Sequence, residues 1–119
     1  MNVSFSGELL VVDGIEVKMP WSILSAKVCE DKVIVLLDPD SYLLNSNYKN
    51  FRRQGGCALK NLFALDCLGV KLWEADFPVP SDYYYKISSY FPLVACSFSS
   101  YRCEIDLNDG SIKKKEFLK

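Results

Sequence analysis

The chain has 119 residues, half of them hydrophobic, with 14 basic against 15 acidic side chains and a net charge of −1. That length predicts one domain burying about two-thirds of its unfolded surface, and the half-hydrophobic composition argues against disorder. The longest apolar runs are about five residues, far short of the ~20 of a membrane helix, and Met1–Glu8 lacks the basic and apolar regions of a signal peptide.

Strand-like segments follow one another in chain order: 2–6, 8–12, 15–19, 24–30, 32–38, 61–66, 70–76, 83–90, 92–98, 101–107 and 111–118. The connections carry turn chemistry, as at Asp13-Gly14, Glu30-Asp31, Gly69 and Asn108-Asp109-Gly110. Many short strands at close spacing predict an all-β fold. We expect an antiparallel meander of about nine to eleven strands in a barrel-like or two-layer arrangement, with little helix. No segment keeps a 3.6-residue apolar period; a short helical turn fits around 41–48. The whole chain, 1–119, is expected to form one complete domain, interrupted by a long polar loop at about 39–57.

One phrase recurs: an apolar run ending in Asp, a Gly turn, then a second apolar run. It reads Asn61–Asp66, Cys67-Leu68-Gly69, Val70–Glu74, and again Cys103–Asp106, Leu107–Gly110, Ser111-Ile112. A shorter version is Leu10–Asp13, Gly14, Ile15–Val17. Each predicts a β-hairpin, because Gly supplies the positive φ the turn requires. The aspartates at 66, 106 and 109 are explained by turn hydrogen bonding.

A two-residue turn at Ser99-Ser100 would set Phe98 opposite Tyr101 and Cys96 opposite Cys103. Val94, Cys96, Phe98, Tyr101, Cys103 and Ile105 would then share one face. Cys96 and Cys103 become a candidate cross-strand thiol pair, with core filling as the plainer reading. The five cysteines are odd in number, contain no C-x-x-C pair and lack a secretion signal, so reduced thiols in the cytoplasm are expected.

With no histidine, Ser–His and Cys–His nucleophile pairs cannot form. A metal site would need thiolates or carboxylates alone, and no phosphate loop is present. We expect no catalytic residues, cofactor or metal. Two interaction surfaces stand out. The first lies in the long loop, at Tyr48, Phe51, Arg52 and Arg53, where aromatic and basic side chains alternate. The second is Tyr83-Tyr84-Tyr85, where strand alternation sends Tyr84 to the face opposite its neighbours; exposed tyrosines suit a protein interface. Lys113-Lys114-Lys115 reads as an edge strand guarded by lysines.

The segment Leu62-Phe63-Ala64-Leu65-Asp66-x-x-Gly69-x-x-Leu72-Trp73 resembles the blade repeat of quinoprotein-type β-propellers, over about a quarter of the chain. More widely, three stretches look like a group of small uncharacterised bacterial proteins, some encoded on mobile integron gene cassettes. They are Val33–Asp38, Ser97–Asp106 and Gly110–Lys119, taken together with the 66–73 hairpin. That resemblance implies a bacterial, cytoplasmic, all-β domain and supplies no catalytic residue.

The expected function is a non-catalytic interaction module, forming a homo-oligomer (a dimer) or binding a protein partner. The alternatives are a small-molecule or carbohydrate binder, or a weak carboxylate and tyrosine enzyme. A third class is nucleic-acid binding through the 48–53 loop and Lys113–Lys115, which the balanced charge weighs against. No membrane association is expected.

Overall fold

The computed structural model describes residues 1–43 and 60–118. They form three antiparallel sheets. The first holds β1 (Val3–Ser6), β2 (Leu9–Val12) and β3 (Ile15–Lys18). The second holds β4 (Ile23–Cys29), β5 (Lys32–Leu37), β6 (Leu62–Leu65) and β7 (Lys71–Glu74). The third holds β8 (Tyr84–Tyr90), β9 (Leu93–Ser97), β10 (Tyr101–Ile105) and β11 (Ile112–Phe117). Within each sheet, strands adjacent in sequence are adjacent in space, so the meander expected from the turn chemistry is what forms.

The layering differs from the expectation. Among the described residues no sheet closes into a barrel, and the sheets pack in three layers, not two. The cause lies in β5 and β6. Val33–Leu37 and Leu62–Leu65 are buried at every position, so both faces of the second sheet are covered. Val33, Val35, Leu37, Phe63 and Leu65 pack against Leu10 and Val12 of the first sheet. Ile34, Leu36, Leu62 and Ala64 pack against Tyr84, Leu93, Ala95, Cys103 and Ile105 of the third. Each fully buried Leu or Ile contributes about 1.5–3 kcal/mol of transfer free energy, so the two seams dominate stability.

Local chemistry sets the strand ends. Asp13 (φ 48°) and Gly14 (φ 81°) both take positive φ between the paired residues Val12 and Ile15, the two-residue turn that matches strand twist. Asp66 closes the β6–β7 turn through its Oδ1, which accepts from Leu68 N at 2.8 Å and Val70 N at 2.9 Å. Asp106 Oδ1 accepts from Asn108 N at 2.8 Å, and Asp109 Oδ1 from Ser111 N at 2.9 Å. These aspartates do the turn work expected of them. The helix α1 (Pro39–Leu43) is capped by Asp38, whose Oδ1 accepts from Asp40 N at 3.0 Å, with proline in the first helical position.

The register between β9 and β10 corrects the sequence reading. Cys103 lies opposite Ala95, and Cys96 opposite Arg102. The connection has three residues, Phe98, Ser99 and Ser100, and Ser100 takes φ 71° while its N donates to Ser97 O at 3.1 Å. A serine in the left-handed region is uncommon and gave no signal in the sequence. The one-residue shift replaces Val94, Cys96 and Phe98 by Leu93, Ala95 and Ser97 on the core side, beside Tyr101, Cys103 and Ile105. Cys96 shares the opposite face with Arg102, so Cys96 and Cys103 point to different faces and form no cross-strand pair.

Candidate interaction surface

A buried amide links the second sheet to the third, beside hydrogen bonds from Cys29 to Tyr90 O, from Tyr90 to Ser25 and from Trp73 to Leu107 O. Asn61, fully buried, stands just before β6. Its Nδ2 donates to Leu37 O at 3.1 Å and Tyr84 O at 2.6 Å, while its Oδ1 accepts from Tyr84 N at 3.1 Å. A side chain thus supplies the hydrogen bonds that β8 cannot obtain from the second sheet's ladder, and it fixes where Tyr84 enters the core. The Tyr84 hydroxyl donates to Asp76 O at 2.5 Å. Burial pushes its pKa far above the ordinary tyrosine value, with Cys103 adding to the effect. Burial also raises the thiols of Cys29 and Cys103.

Fixing Tyr84 inward decides its neighbours, because successive strand residues face opposite ways. Tyr85 points out and is 45% exposed, and Tyr83 is half-buried. Tyr83 lies against Phe98, ring centroids 5.0 Å apart and 19° from parallel. Phe98, on the β9–β10 connection, is 67% exposed. The connection is fastened beneath the rings by Asp82, which is 2% exposed and whose Oδ1 accepts from Tyr83 N at 2.8 Å and Ser99 N at 3.2 Å. Its Oδ2 is buried with no hydrogen-bond partner among the described residues. Across the same end of the sheet, Tyr101 packs on Phe117 at 5.2 Å, and Phe117 is 53% exposed. The Tyr83–Phe98 pair thus forms an aromatic shelf beside the start of β8, while Tyr101–Phe117 lies at the β11 edge of the sheet, on the face that Tyr101 shares with Cys103 and Ile105.

Of the sequence-predicted site residues, Tyr83 forms half of this shelf, Tyr84 is its buried anchor, and Tyr85 is exposed two residues along from Tyr83. Tyr48, Phe51, Arg52 and Arg53 lie outside the described residues. Phe98 completes the shelf, and Asn61 and Asp82 hold it; none of the three was read as a site residue in the sequence. An available signal for Asn61 was a polar residue opening the otherwise apolar run 61–65.

The third sheet's outer face is polar. Arg102 pairs with Glu116 at 3.1 Å, both exposed, and Lys113 with a partly buried Glu104 at 3.5 Å; solvent-screened pairs of this kind are each worth little. No group of three or more metal-ligating side chains converges among the described residues. No helix among them is long and apolar enough to cross a membrane.

Fold and surface together define an open, three-sheet, all-β domain whose distinguishing surface is an aromatic shelf. The chain belongs to the family described as Domain of unknown function (DUF7957), whose model matches residues 1–117. No curated protein and no solved structure matches it.

Proposed function

We propose that this domain is a non-catalytic interaction module that associates with a second copy of itself through the aromatic shelf of Tyr83 and Phe98, with the exposed Tyr85 nearby on β8. The observation that carries this reading is the stacked Tyr83–Phe98 pair, with Phe98 two-thirds exposed on a connection held rigid by Asp82. Large rings on a pre-ordered support offer contact area at low entropic cost. A two-fold dimer uses one patch twice, so a single shelf suffices. The free thiols at Cys29, Cys67, Cys96 and Cys103 support a reducing, cytoplasmic setting.

Light scattering across a dilution series tests the reading. The native chain is expected to be dimeric at micromolar concentration, and Phe98→Ala to shift the equilibrium toward monomer by about tenfold or more, as removing a central aromatic anchor does. Phe98 is exposed, so its loss leaves the core intact. A monomer at every concentration, or a dimer indifferent to Phe98→Ala and Tyr85→Ala together, would remove the shelf from consideration.

A further inference from the structure

We propose that the outer edge of β11 receives an acidic, extended peptide segment by strand addition. This is a surface distinct from the aromatic shelf, and the inference goes beyond self-association.

β11 pairs with β10 on one side only. In an antiparallel ladder, successive residues send their backbone groups alternately to the two sides. About half of the peptide groups of β11 therefore point away from β10. The segment Asp76–Pro80 runs beside that edge. Asp76 N donates to Gly110 O, in the turn before β11, at 3.0 Å, and Lys115 Nζ of β11 donates to Pro78 O at 3.2 Å. Along the edge the segment cannot complete a ladder, because Pro78 and Pro80 have no N–H. The result is a groove of about 740 Å³ between strand edge and proline segment.

The groove has a definite chemistry. Phe77, Val79 and Ile112 give it apolar surface, and Lys60, Lys113, Lys114 and Lys115 line it against a single carboxylate, Asp76. Lys60 is held by Asp76 at 3.1 Å. Lys115 lies over the Tyr101 ring at 5.3 Å, and Lys114 has no ion pair among the described residues. The surplus is positive, although the chain as a whole carries −1.

These features select the occupant. An extended peptide can bond to the open backbone edge and set alternate side chains on the apolar surface. Acidic residues in it would meet the lysines. A second copy of β11 would set lysine against lysine, which a ladder penalises. The lysines that keep out like strands thereby admit an acidic one. A nucleic-acid strand satisfies the charge but cannot use the ladder.

The probe is a fluorescein-labelled ten-residue peptide of alternating glutamate and valine, titrated with the native chain and followed by anisotropy. Three comparison probes accompany it: the same peptide with alternate backbone nitrogens methylated, its lysine-for-glutamate version, and a ten-residue oligothymidylate. We expect saturable binding of the acidic peptide, at least about tenfold weaker for the methylated and lysine peptides and for the Lys113→Glu/Lys114→Glu variant. Light scattering of that variant should match the native chain, which separates this inference from the shelf. No saturation by about 1 mM, equal affinity for the methylated peptide, or tighter binding of the oligothymidylate would each overturn it.

Discussion

Replacing Asn61 by alanine tests how the second and third sheets are held together. The wild-type amide makes three hydrogen bonds, to Leu37 O, Tyr84 O and Tyr84 N, at a position with no solvent exposure. Alanine removes all three and opens no path for water. Each bond is worth about 1 kcal/mol net, and a buried group left without a partner costs about 1–3 kcal/mol. The expected loss is about 3 kcal/mol, since the strand can shift to recover part of it. At about 2.1 cal/mol/K per residue, a chain of this length has an unfolding entropy near 0.25 kcal/mol/K, so Tm should fall by about 12 °C. Thermal unfolding by circular dichroism reads the shift, and urea unfolding gives the free energy independently. Glu74→Ala is the comparison: it breaks a pair with Lys71 that is about half exposed, and should change stability by less than about 0.5 kcal/mol. An Asn61→Ala protein within about 4 °C of the native Tm would refute the claim that this buried amide is a main polar link between the sheets.

Two further outcomes follow from the same packing. The pKa values of Tyr84, Cys29 and Cys103 are all raised in the fold, chiefly by burial, so each group disfavours ionisation when folded. Their stabilisation is complete below the ordinary thiol and tyrosine values and is lost as pH climbs past about 8.5 and then about 10. Urea midpoints measured from pH 7 to 11 should decline through that window; a flat profile would contradict the burial of these groups. Gly110 and Gly14 share nearly the same φ, 80° and 81°. A Cβ at Gly110 would lie 2.5 Å from the Trp73 ring, whereas one at Gly14 meets nothing within 4 Å. Gly14→Ala should cost about 1 kcal/mol and Gly110→Ala about 2–3 kcal/mol. Equal losses would mean that the β10–β11 turn is not seated on the second sheet.

What the sequence revealed depended on how local each cause was. Eleven strands were legible because a period of two and a Gly or Asp turn are written within ten residues. The aspartates at 66, 106 and 109 bond to amides within four residues of themselves, so their role could be read before any fold was known. The β9–β10 register could not be read, because it depends on Ser100 accepting a left-handed φ that its identity disfavours. Three layers in place of two were in principle visible: Val33–Leu37 is apolar at every position, the mark of a strand covered on both faces. The joint at Asn61 depends on Tyr84, 23 residues away, and pattern along the chain carries no information about such a partner. For the shelf, alternation correctly set Tyr84 apart from Tyr83 and Tyr85. Phe98 joins Tyr83 because its N donates to Tyr83 O at 2.9 Å and the next residue, Ser99, is tied to Asp82.

The two hydrophobic seams share no residue: one lies between the first and second sheets, the other between the second and third. In energetic terms the molecule is a row of three units with two nearest-neighbour couplings, as in a short repeat protein. The middle unit belongs to both couplings and cannot be lost without breaking each. An end unit can detach at the expense of one. Amides of β5 and β6 should therefore exchange with solvent last, at the rate of global unfolding, while β1–β3 and β8–β11 can open separately and sooner. The aromatic shelf and the lysine-lined groove both lie on an end unit, so anything bound there would tighten one coupling and leave the other untouched.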